Sequence, residues 1–201
     1  PEIEKSLKLS GTGKSILLKT LRAVIGTLDP TLQDVTLAKD LKDTFIIRRG
    51  STEIIIQEGK LLNREVLSSG TAEGIDVSLF LAAMIARESS FYYCDEHFSY
   101  IQSDIEKRIF GIMLDCIGDD EQLIFTTHNT DMLDLNLPKH SFVFLRRQLE
   151  EGEYKVSAIS ASEVLKRNTD SIRNAVENDV FGSLPQDYLL DELEMGWLDE
   201  Q

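Results

Sequence analysis

The chain has 201 residues, of which 35 are acidic and 21 basic, so its formal net charge is −14. This length suits one medium α/β domain, and a hydrophobic fraction of 42% is high enough to exclude a disordered chain. The excess of acidic residues disfavours autonomous nucleic-acid binding, because binding the phosphate backbone requires a cluster of basic side chains. The net charge does not show how the charges are distributed, so a local basic patch remains open.

Cysteine usage and hydropathy predict a cytoplasmic chain without a membrane anchor. Cys94 and Cys116 have apolar neighbours and no CxxC spacing, so we expect reduced core residues and no disulfide. No stretch approaches the roughly 18 apolar residues of a membrane span, and the N-terminus lacks the apolar core of a signal peptide. The longest apolar run, from Leu79 to Ala86, is expected to lie in a core helix.

Helices and strands alternate along the chain. Apolar residues at helical spacing predict a helix over 16–26 that stops at Gly26. The other predicted elements are, in order, a hairpin of strands 44–48 and 53–57, a helix 71–87, a strand 91–95, a helix 103–117, a strand 122–127, a hairpin of strands 141–147 and 154–159, and a mostly helical acidic tail over 161–201. The strands at 91–95 and 122–127 are almost continuously apolar, which is typical of strands buried on both faces of a parallel sheet. Strand, helix and strand joined by short loops predict an α/β fold with right-handed crossovers.

A glycine-rich stretch, Gly11-Thr12-Gly13-Lys14-Ser15, directly precedes the first predicted helix. Glycines let a backbone wrap a phosphate with its N–H groups, and the helix that follows directs its positive end at the same charge. Lys14 would reach the β- and γ-phosphates of a nucleotide, and the Ser15 hydroxyl would bind Mg²⁺. The full pattern is GxxxxGK[ST], and Lys8 stands where its first glycine should be. A glycine turn capped by serine is an equally good interpretation.

A pair of carboxylates ends the apolar strand 91–95. Asp95 and Glu96 would lie at the carboxyl edge of a parallel sheet, where α/β proteins bind ligands. There Asp95 would hold the Mg²⁺ shell, and Glu96 would polarise an attacking water as general base. The alternative is that both acids cap the helix that follows.

Small residues open the helix predicted over 71–87. In the sequence Leu67-Ser68-Ser69-Gly70-Thr71, the serines and the glycine would form a second anion site at a helix N-terminus. An ordinary serine N-cap explains the same residues.

A histidine follows the strand 122–127 in the sequence Thr126-Thr127-His128-Asn129. At the carboxyl end of a strand, His128 could donate a hydrogen bond to a γ-phosphate and sense its loss. A lone histidine is more often structural than catalytic, so the case for a phosphate-sensing role depends on the position of His128 after the Asp-Glu strand.

The order of these four motifs resembles that of ABC-type ATPases, with a Walker A motif at 11–15, a signature at 67–71, a Walker B motif at 91–96 and a switch histidine at 128. Within that superfamily the chain resembles the AAA-15/AAA-21 group of phage-defence and abortive-infection ATPases, which is related to OLD-family and SMC/RecF-type heads. The signature LSSGT, the sequence TTHNTDML and two tail segments, 171–175 and 181–185, carry this finer resemblance, which spans roughly residues 9–193.

The resemblance implies an α/β P-loop NTPase fold, namely an ABC-ATPase-like head with a mainly parallel sheet flanked by helices and an antiparallel β element. It implies one domain over 1–201, with the phosphate loop and β element in 1–66, the signature, Walker B and switch-histidine core in 67–160, and a helical acidic tail in 161–201.

The resemblance also implies a mechanism. ATP and Mg²⁺ would be bound by 11–15, with Asp95 completing the metal site and Glu96 and His128 serving catalysis. The signature residues Ser68, Ser69 and Gly70 of one subunit would face the nucleotide bound by the other, which gives a two-fold homodimer that closes on ATP and opens on hydrolysis. The partner implied outside these residues is an effector such as a nuclease or toxin.

Three features depart from this pattern. No glutamine forms a convincing Q-loop, since Gln33 and Gln57 do not fall at clear strand ends. His97 stands where relatives often have a proline after the Asp-Glu pair, so the geometry of this loop is open. The short interval between Ser15 and Leu67 leaves little room for a coiled-coil arm, so any arm or effector domain is expected to be reduced or to lie outside these residues.

Other functions remain as alternatives. The chain could be the ATPase head of a DNA-repair or chromosome-maintenance complex, although no heptad repeat supports an arm. It could be a nucleotide-binding scaffold without turnover, which the altered phosphate loop favours slightly. A transporter ATPase is disfavoured by the missing Q-loop and the unusual signature. The tail at 186–201 is expected to be a terminal helix packed on the core, with a partner-docking helix as the alternative.

Overall fold

The structure is a computed structural model that describes residues 11–150, 152–167, 169–185 and 188–199. The chain divides into two compact units, of which the first ends at Asn129 and the second begins at Thr130. The single domain predicted over 1–201 stays a prediction.

From Gly11 onward, the first unit contains three long helices and six strands. They are α1 (Gly11–Leu28), β1 (Leu32–Leu37), β2 (Thr44–Arg49), β3 (Thr52–Gln57), β4 (Lys60–Leu61), α2 (Ser69–Ile85), β5 (Phe91–Asp95), α3 (Ser103–Cys116) and β6 (Gln122–Thr126). The second and third predicted helices and the first predicted hairpin are confirmed at close to their predicted bounds. The first predicted helix, 16–26, is confirmed as a helix, but α1 already includes residues 11–15 and continues past Gly26 to Leu28. β1 was not predicted.

An antiparallel meander in the order β1-β2-β3-β4 forms the larger sheet. Its β2–β3 turn contains Gly50, whose φ of +56° is the left-handed conformation that suits glycine. Alternate residues of the two strands, Phe45 and Ile47 on β2 and Ile54 and Ile56 on β3, are buried against the helices. This period of two is what places one apolar face of the sheet on the core.

Helix α1 packs on this sheet because Leu17, Leu21 and Ile25 recur every four residues along one face. Helix α2 is apolar on nearly all sides, and it shares one core with α1 and the meander and a second with β5 and α3. Each fully buried aliphatic side chain in such a core stabilises the fold by about 1.5–3 kcal/mol. Helix α2, which begins at the predicted signature, therefore lies at the centre of the unit.

Strands β5 and β6 pair in parallel, with Asp95 opposite Thr126, and α3 connects them. This confirms the predicted strand-helix-strand arrangement. The prediction that these strands are buried on both faces is wrong, since Phe91 is 51% and Tyr93 49% exposed while Tyr92 and Cys94 are buried. Alternate residues face the helices, and the open face carries aromatic rings that made the sequence look continuously apolar.

The predicted fold class is confirmed in its coarser form, since the chain is a mixed α/β protein with an antiparallel element and a parallel strand pair. The predicted mainly parallel sheet is not what the described residues form, because six of their eight strands pair antiparallel. The strand that a P-loop fold would place before Gly11 falls in 1–10, outside the described residues.

The second unit contains a long hairpin, β7 (Val143–Glu150) and β8 (Glu153–Ser160), and three helices, α4 (Ala161–Val164), α5 (Ile172–Glu177) and α6 (Tyr188–Asp199). The predicted hairpin is confirmed. Phe144 stacks on Phe181 at 4.0 Å between ring centroids, within a small core that α5 completes. In α6, Leu190 and Leu193 are exposed rather than packed on a core as predicted.

Both cysteines are free thiols, Cys94 buried and Cys116 half-buried. Burial raises the pKa of the Cys94 thiol to about 12. Among the described residues no helix is long and apolar enough to cross a membrane.

Candidate functional site

The carboxyl ends of β5 and β6 bring together Asp95, Glu96 and the residues that follow Thr126. The Thr126 hydroxyl donates to Asp95 Oδ1 at 2.6 Å and accepts from the backbone N–H of Glu96 at 3.1 Å. Glu96 has φ +52°, which is uncommon for a residue with a side chain and is found more often at functional sites. The parallel register of two short strands thus fixes the predicted carboxylate pair at one sheet edge.

A cavity of about 200 Å³ lies at this edge. Both predicted catalytic residues, Glu96 and His128, line it, together with residues of the loop after β5, of α3 and of the turn after β6: Phe98, Ser99, Ile101, Ser103, Glu106, Thr127 and Asn129. The cavity is smaller than the roughly 300–1,000 Å³ of pockets that enclose a whole small molecule. It suits a phosphate group with a water better than a complete nucleotide.

The turn that carries His128 is held from α3. Glu106 accepts hydrogen bonds from the Thr127 hydroxyl at 2.8 Å and from the Asn129 amide at 2.5 Å. The Thr127 hydroxyl in turn accepts the backbone N–H of Asn129 at 3.0 Å. The residues on both sides of His128 are therefore fixed to one helix, while the imidazole is exposed.

The predicted signature lies at the start of α2, beside a second cavity of about 310 Å³ that Ser69 lines with Glu73, His97 and Tyr100. Ser68 is the N-cap of the helix, since its hydroxyl accepts the backbone N–H of Thr71 at 3.2 Å. The ordinary capping role is thus confirmed for Ser68.

Gly70 lies against the loop that follows β5. A Cβ atom at Gly70 would lie 3.0 Å from the carbonyl oxygen of Tyr100, so this close approach favours glycine. The predicted signature therefore contacts, through Gly70, the loop that follows the Asp-Glu pair.

Glu73 ties the same loop to α2. Its buried carboxylate accepts the backbone N–H of Tyr100 at 2.7 Å and that of Ser99 at 3.2 Å. Burial raises the pKa of this carboxyl, and the two N–H donors offset part of the rise because they favour the charged form.

The predicted phosphate loop differs from expectation. Residues 11–15 form the first turns of α1 rather than a loop before it. The residues that would complete a phosphate loop, 1–10, are outside the described part. Lys14 forms an ion pair with Asp43, in the turn before β2. Ser15 is exposed, Gly13 is buried, and the side chain of Thr12 is not described.

The structure therefore gathers only some of the predicted site residues. Asp95, Glu96 and His128 share one sheet edge, and Ser69 and Gly70 adjoin the loop after β5. Within the described residues, the lining of neither cavity includes any of 11–15. Of the two candidate Q-loop residues, Gln57 is the last residue of β3 and Gln33 lies within β1.

Asp95 fits a magnesium ligand by chemistry and position. Its carboxylate is exposed at the sheet edge with one oxygen bonded to Thr126, and Mg²⁺ takes one or two carboxylates and completes its shell with phosphate oxygens and water. The described residues contain no group of three His, Cys, Asp or Glu side chains that could hold a metal ion without a substrate. Ser15, the second predicted metal ligand, is not brought to Asp95 by any described contact.

Two functional candidates were missed from the sequence, Glu73 and Glu106. Glu106 precedes Ile109, Phe110 and Met113 at helical spacing, so it stands on the apolar face of α3. A carboxylate on a buried stripe was the signal that could have found it, because charged residues are almost never fully buried without a partner.

Comparison with known proteins finds similarity only at the level of structure. No family model and no curated protein sequence matches the chain. Among solved structures, the chain is similar to the crystal structure of the SmcHead bound to the C-winged helix domain of ScpA, with 12% sequence identity and a TM-score of 0.45. That similarity covers 75% of this chain and 45% of the other, so the chain spans less than half the length of that structure. The chemistry of the site rests on its own geometry.

Proposed function

We propose that this chain binds and hydrolyses ATP with Mg²⁺. The observation that carries the proposal is the cavity at the β5–β6 edge, which Glu96 and His128 both line beside Asp95. A carboxylate base, a metal-binding carboxylate and a phosphate-contacting imidazole can together support in-line attack of water on a phosphate.

Each side chain has a role in this proposal. Glu96 accepts a hydrogen bond from the attacking water and takes its proton. Asp95 is held at the sheet edge by the Thr126 hydroxyl, which donates to Oδ1, and would contribute a carboxylate to the metal shell. His128 donates to the terminal phosphate oxygen. Bound Mg²⁺ would neutralise the charge of the β- and γ-phosphates.

The proposal includes a homodimer. A cavity of about 200 Å³ accommodates the terminal phosphate and leaves the rest of the nucleotide to be bound by other groups. Lys14 and Ser15 are our candidates in the same subunit, and Ser69 and Gly70 are candidates across a two-fold interface. Contact between Gly70 and the loop after β5 offers a path by which such an interface would affect Glu96.

The output of hydrolysis is proposed from the motif resemblance alone. There we favour gating of an effector in prokaryotic anti-phage defence, and the alternative is an ATPase head of a DNA-repair or chromosome-maintenance complex. The exposed leucines of α6 support a helix that docks a partner.

A nucleotide-binding scaffold without turnover is the second candidate. Lys8, which stands where the first glycine of the phosphate-loop pattern should be, favours it slightly. The two candidates differ in whether Glu96 has a chemical role.

The decisive experiment measures ATP binding, ATP turnover and mass for the chain and for Glu96→Gln. We expect Glu96→Gln to bind ATP, to lose turnover by at least about a hundredfold and to accumulate as a dimer with ATP. Asp120→Asn is the matched control, because Asp120 is an exposed carboxylate before β6, at the opposite edge of the strand pair. A parent chain that binds ATP without turnover or change in mass would establish the scaffold instead.

A further inference from the structure

Glu106 is the most deeply buried charged side chain among the described residues, with 2% of its surface exposed. It stands on the face of α3 that Ile109, Phe110 and Met113 bury in the core. Placing a carboxylate there costs desolvation energy, and an apolar residue of similar size would pack without that cost. Packing therefore does not explain the choice of glutamate at this position.

The hydrogen bonds of Glu106 supply an explanation. Glu106 accepts hydrogen bonds from two neutral donors, the Thr127 hydroxyl and the Asn129 amide, one on each carboxylate oxygen. These two residues flank His128, and the N–H of Asn129 also bonds the Thr127 hydroxyl. The carboxylate closes a ring of bonds around the backbone that carries the imidazole.

We propose that Glu106 is a positioning residue that fixes His128 at the cavity by holding both of its neighbours to α3. This inference rests on the proposed function for its kinetic test. The imidazole itself is exposed, so the direction of its Cα–Cβ bond, which the turn sets, determines whether it can reach the cavity. A misplacement of about 1 Å at such a group is enough to cost about a hundredfold in rate.

The kinetic test compares Glu106→Leu with Glu106→Gln. Leucine removes both acceptors and suits the buried face, so we expect kcat to fall by at least roughly tenfold with KM changed by less than about twofold. Glutamine keeps one acceptor, and a rotated Asn129 amide can accept from its N–H, so we expect Glu106→Gln to recover most of kcat. Asp104→Asn, an exposed carboxylate on the same helix, is the control.

A double-mutant cycle separates positioning from stability. If Glu106 acts through His128, then Glu106→Leu has no further effect on kcat in a His128→Ala background. If the fold-reductions in kcat of the two single variants multiply in the double variant, the inference is overturned. Should Glu106→Leu fail to fold, Asn129→Ala replaces it in the same cycle, with the same expectation.

A measurement without ATP distinguishes failure of this inference from failure of the proposed function. The chain has three histidines, so imidazole NMR signals can be assigned by single substitution. We expect Glu106→Leu to shift and broaden the His128 signal and to leave that of His140 unchanged. An unchanged His128 signal overturns the inference, whereas a changed signal in a chain without ATP turnover supports the inference and contradicts only the proposed function.

Discussion

Two helical glycines of the first unit should respond to alanine in opposite directions. Gly74 lies in α2 and faces α1, whereas Gly111 lies in α3. A Cβ atom built at Gly74 overlaps Leu28 Cδ1 and lies 3.2 Å from Ile25 Cδ1. A Cβ atom at Gly111 meets nothing within 4 Å.

The magnitudes follow from these surroundings. Alanine is favoured over glycine inside a helix by about 0.5–1 kcal/mol, and Gly111→Ala should gain that amount. At Gly74 the same gain is opposed by overpacking, which costs about 1–3 kcal/mol. Leu28 can rotate away, whereas Ile25, with 1% of its surface exposed, has little room for the small shift that an alanine at this position requires. We therefore expect Gly74→Ala to destabilise the unit by about 1 kcal/mol.

Urea unfolding followed by far-UV circular dichroism provides the assay. The three longest helices lie in the first unit, so the helical signal reports mainly on it. The urea concentration at half-unfolding should rise for Gly111→Ala and fall for Gly74→Ala. The dependence of the unfolding free energy on urea concentration should be similar in both variants. If Gly74→Ala is as stabilising as Gly111→Ala, then α1 and α2 do not approach closely at Gly74 and the packing described above is incorrect.

Two further predictions concern charged groups near the candidate site. Asp43→Asn should tighten Mg-ATP binding, measured by calorimetry, by about two- to fivefold, because it frees Lys14 from a partly exposed ion pair. Asparagine tolerates the φ of +50° at this position, so the backbone should be unchanged. Weaker binding would show that the ion pair is needed for the conformation that binds the nucleotide. Burial raises the pKa of the Glu73 carboxyl above its usual 4.5. The contribution of this group to the free energy of unfolding is therefore complete below pH 4.5, and it is lost as the pH rises through the higher folded-state pKa. The unfolding free energy of the parent chain minus that of Glu73→Gln should therefore decrease from pH 4 to pH 7, and a difference that increases with pH would contradict this cause.

Local periodicity was sufficient for much of the fold. Helices α2 and α3 and the strands between and after them were predicted because apolar runs of these lengths have few other solutions. Strand β1 was missed because its sequence, LQDVTL, contains one fully buried residue, Val35, among polar neighbours. Its place in the sheet depends on pairing with β2, which is a long-range contact that a local pattern does not contain.

The site was predictable only where it follows from strand ends. Asp95, Glu96 and His128 come together because parallel strands end at one edge. Residues 11–15 were predicted to be a loop because their pattern is similar to that of a phosphate-binding turn, yet neither the buried Gly13 nor its neighbours have a positive φ, and the helix extends through them. Glu73 and Glu106 depend on tertiary contacts to loops 20 or more residues away.

The residues proposed for hydrolysis and those proposed for nucleotide binding differ in how far the fold already holds them in place. On the hydrolytic side, buried glutamates on α2 and α3 accept hydrogen bonds from the loop after β5 and the turn after β6, so the segments next to Glu96 and His128 are tied to helices without any ligand. On the binding side, Lys14 must first leave Asp43 to reach a phosphate. Nucleotide affinity should then respond to substitutions around Lys14 and Asp43, whereas substitutions at Glu73 and Glu106 should change kcat with little effect on affinity. If both sets changed affinity alike, the site would have to assemble as a single unit when the nucleotide binds.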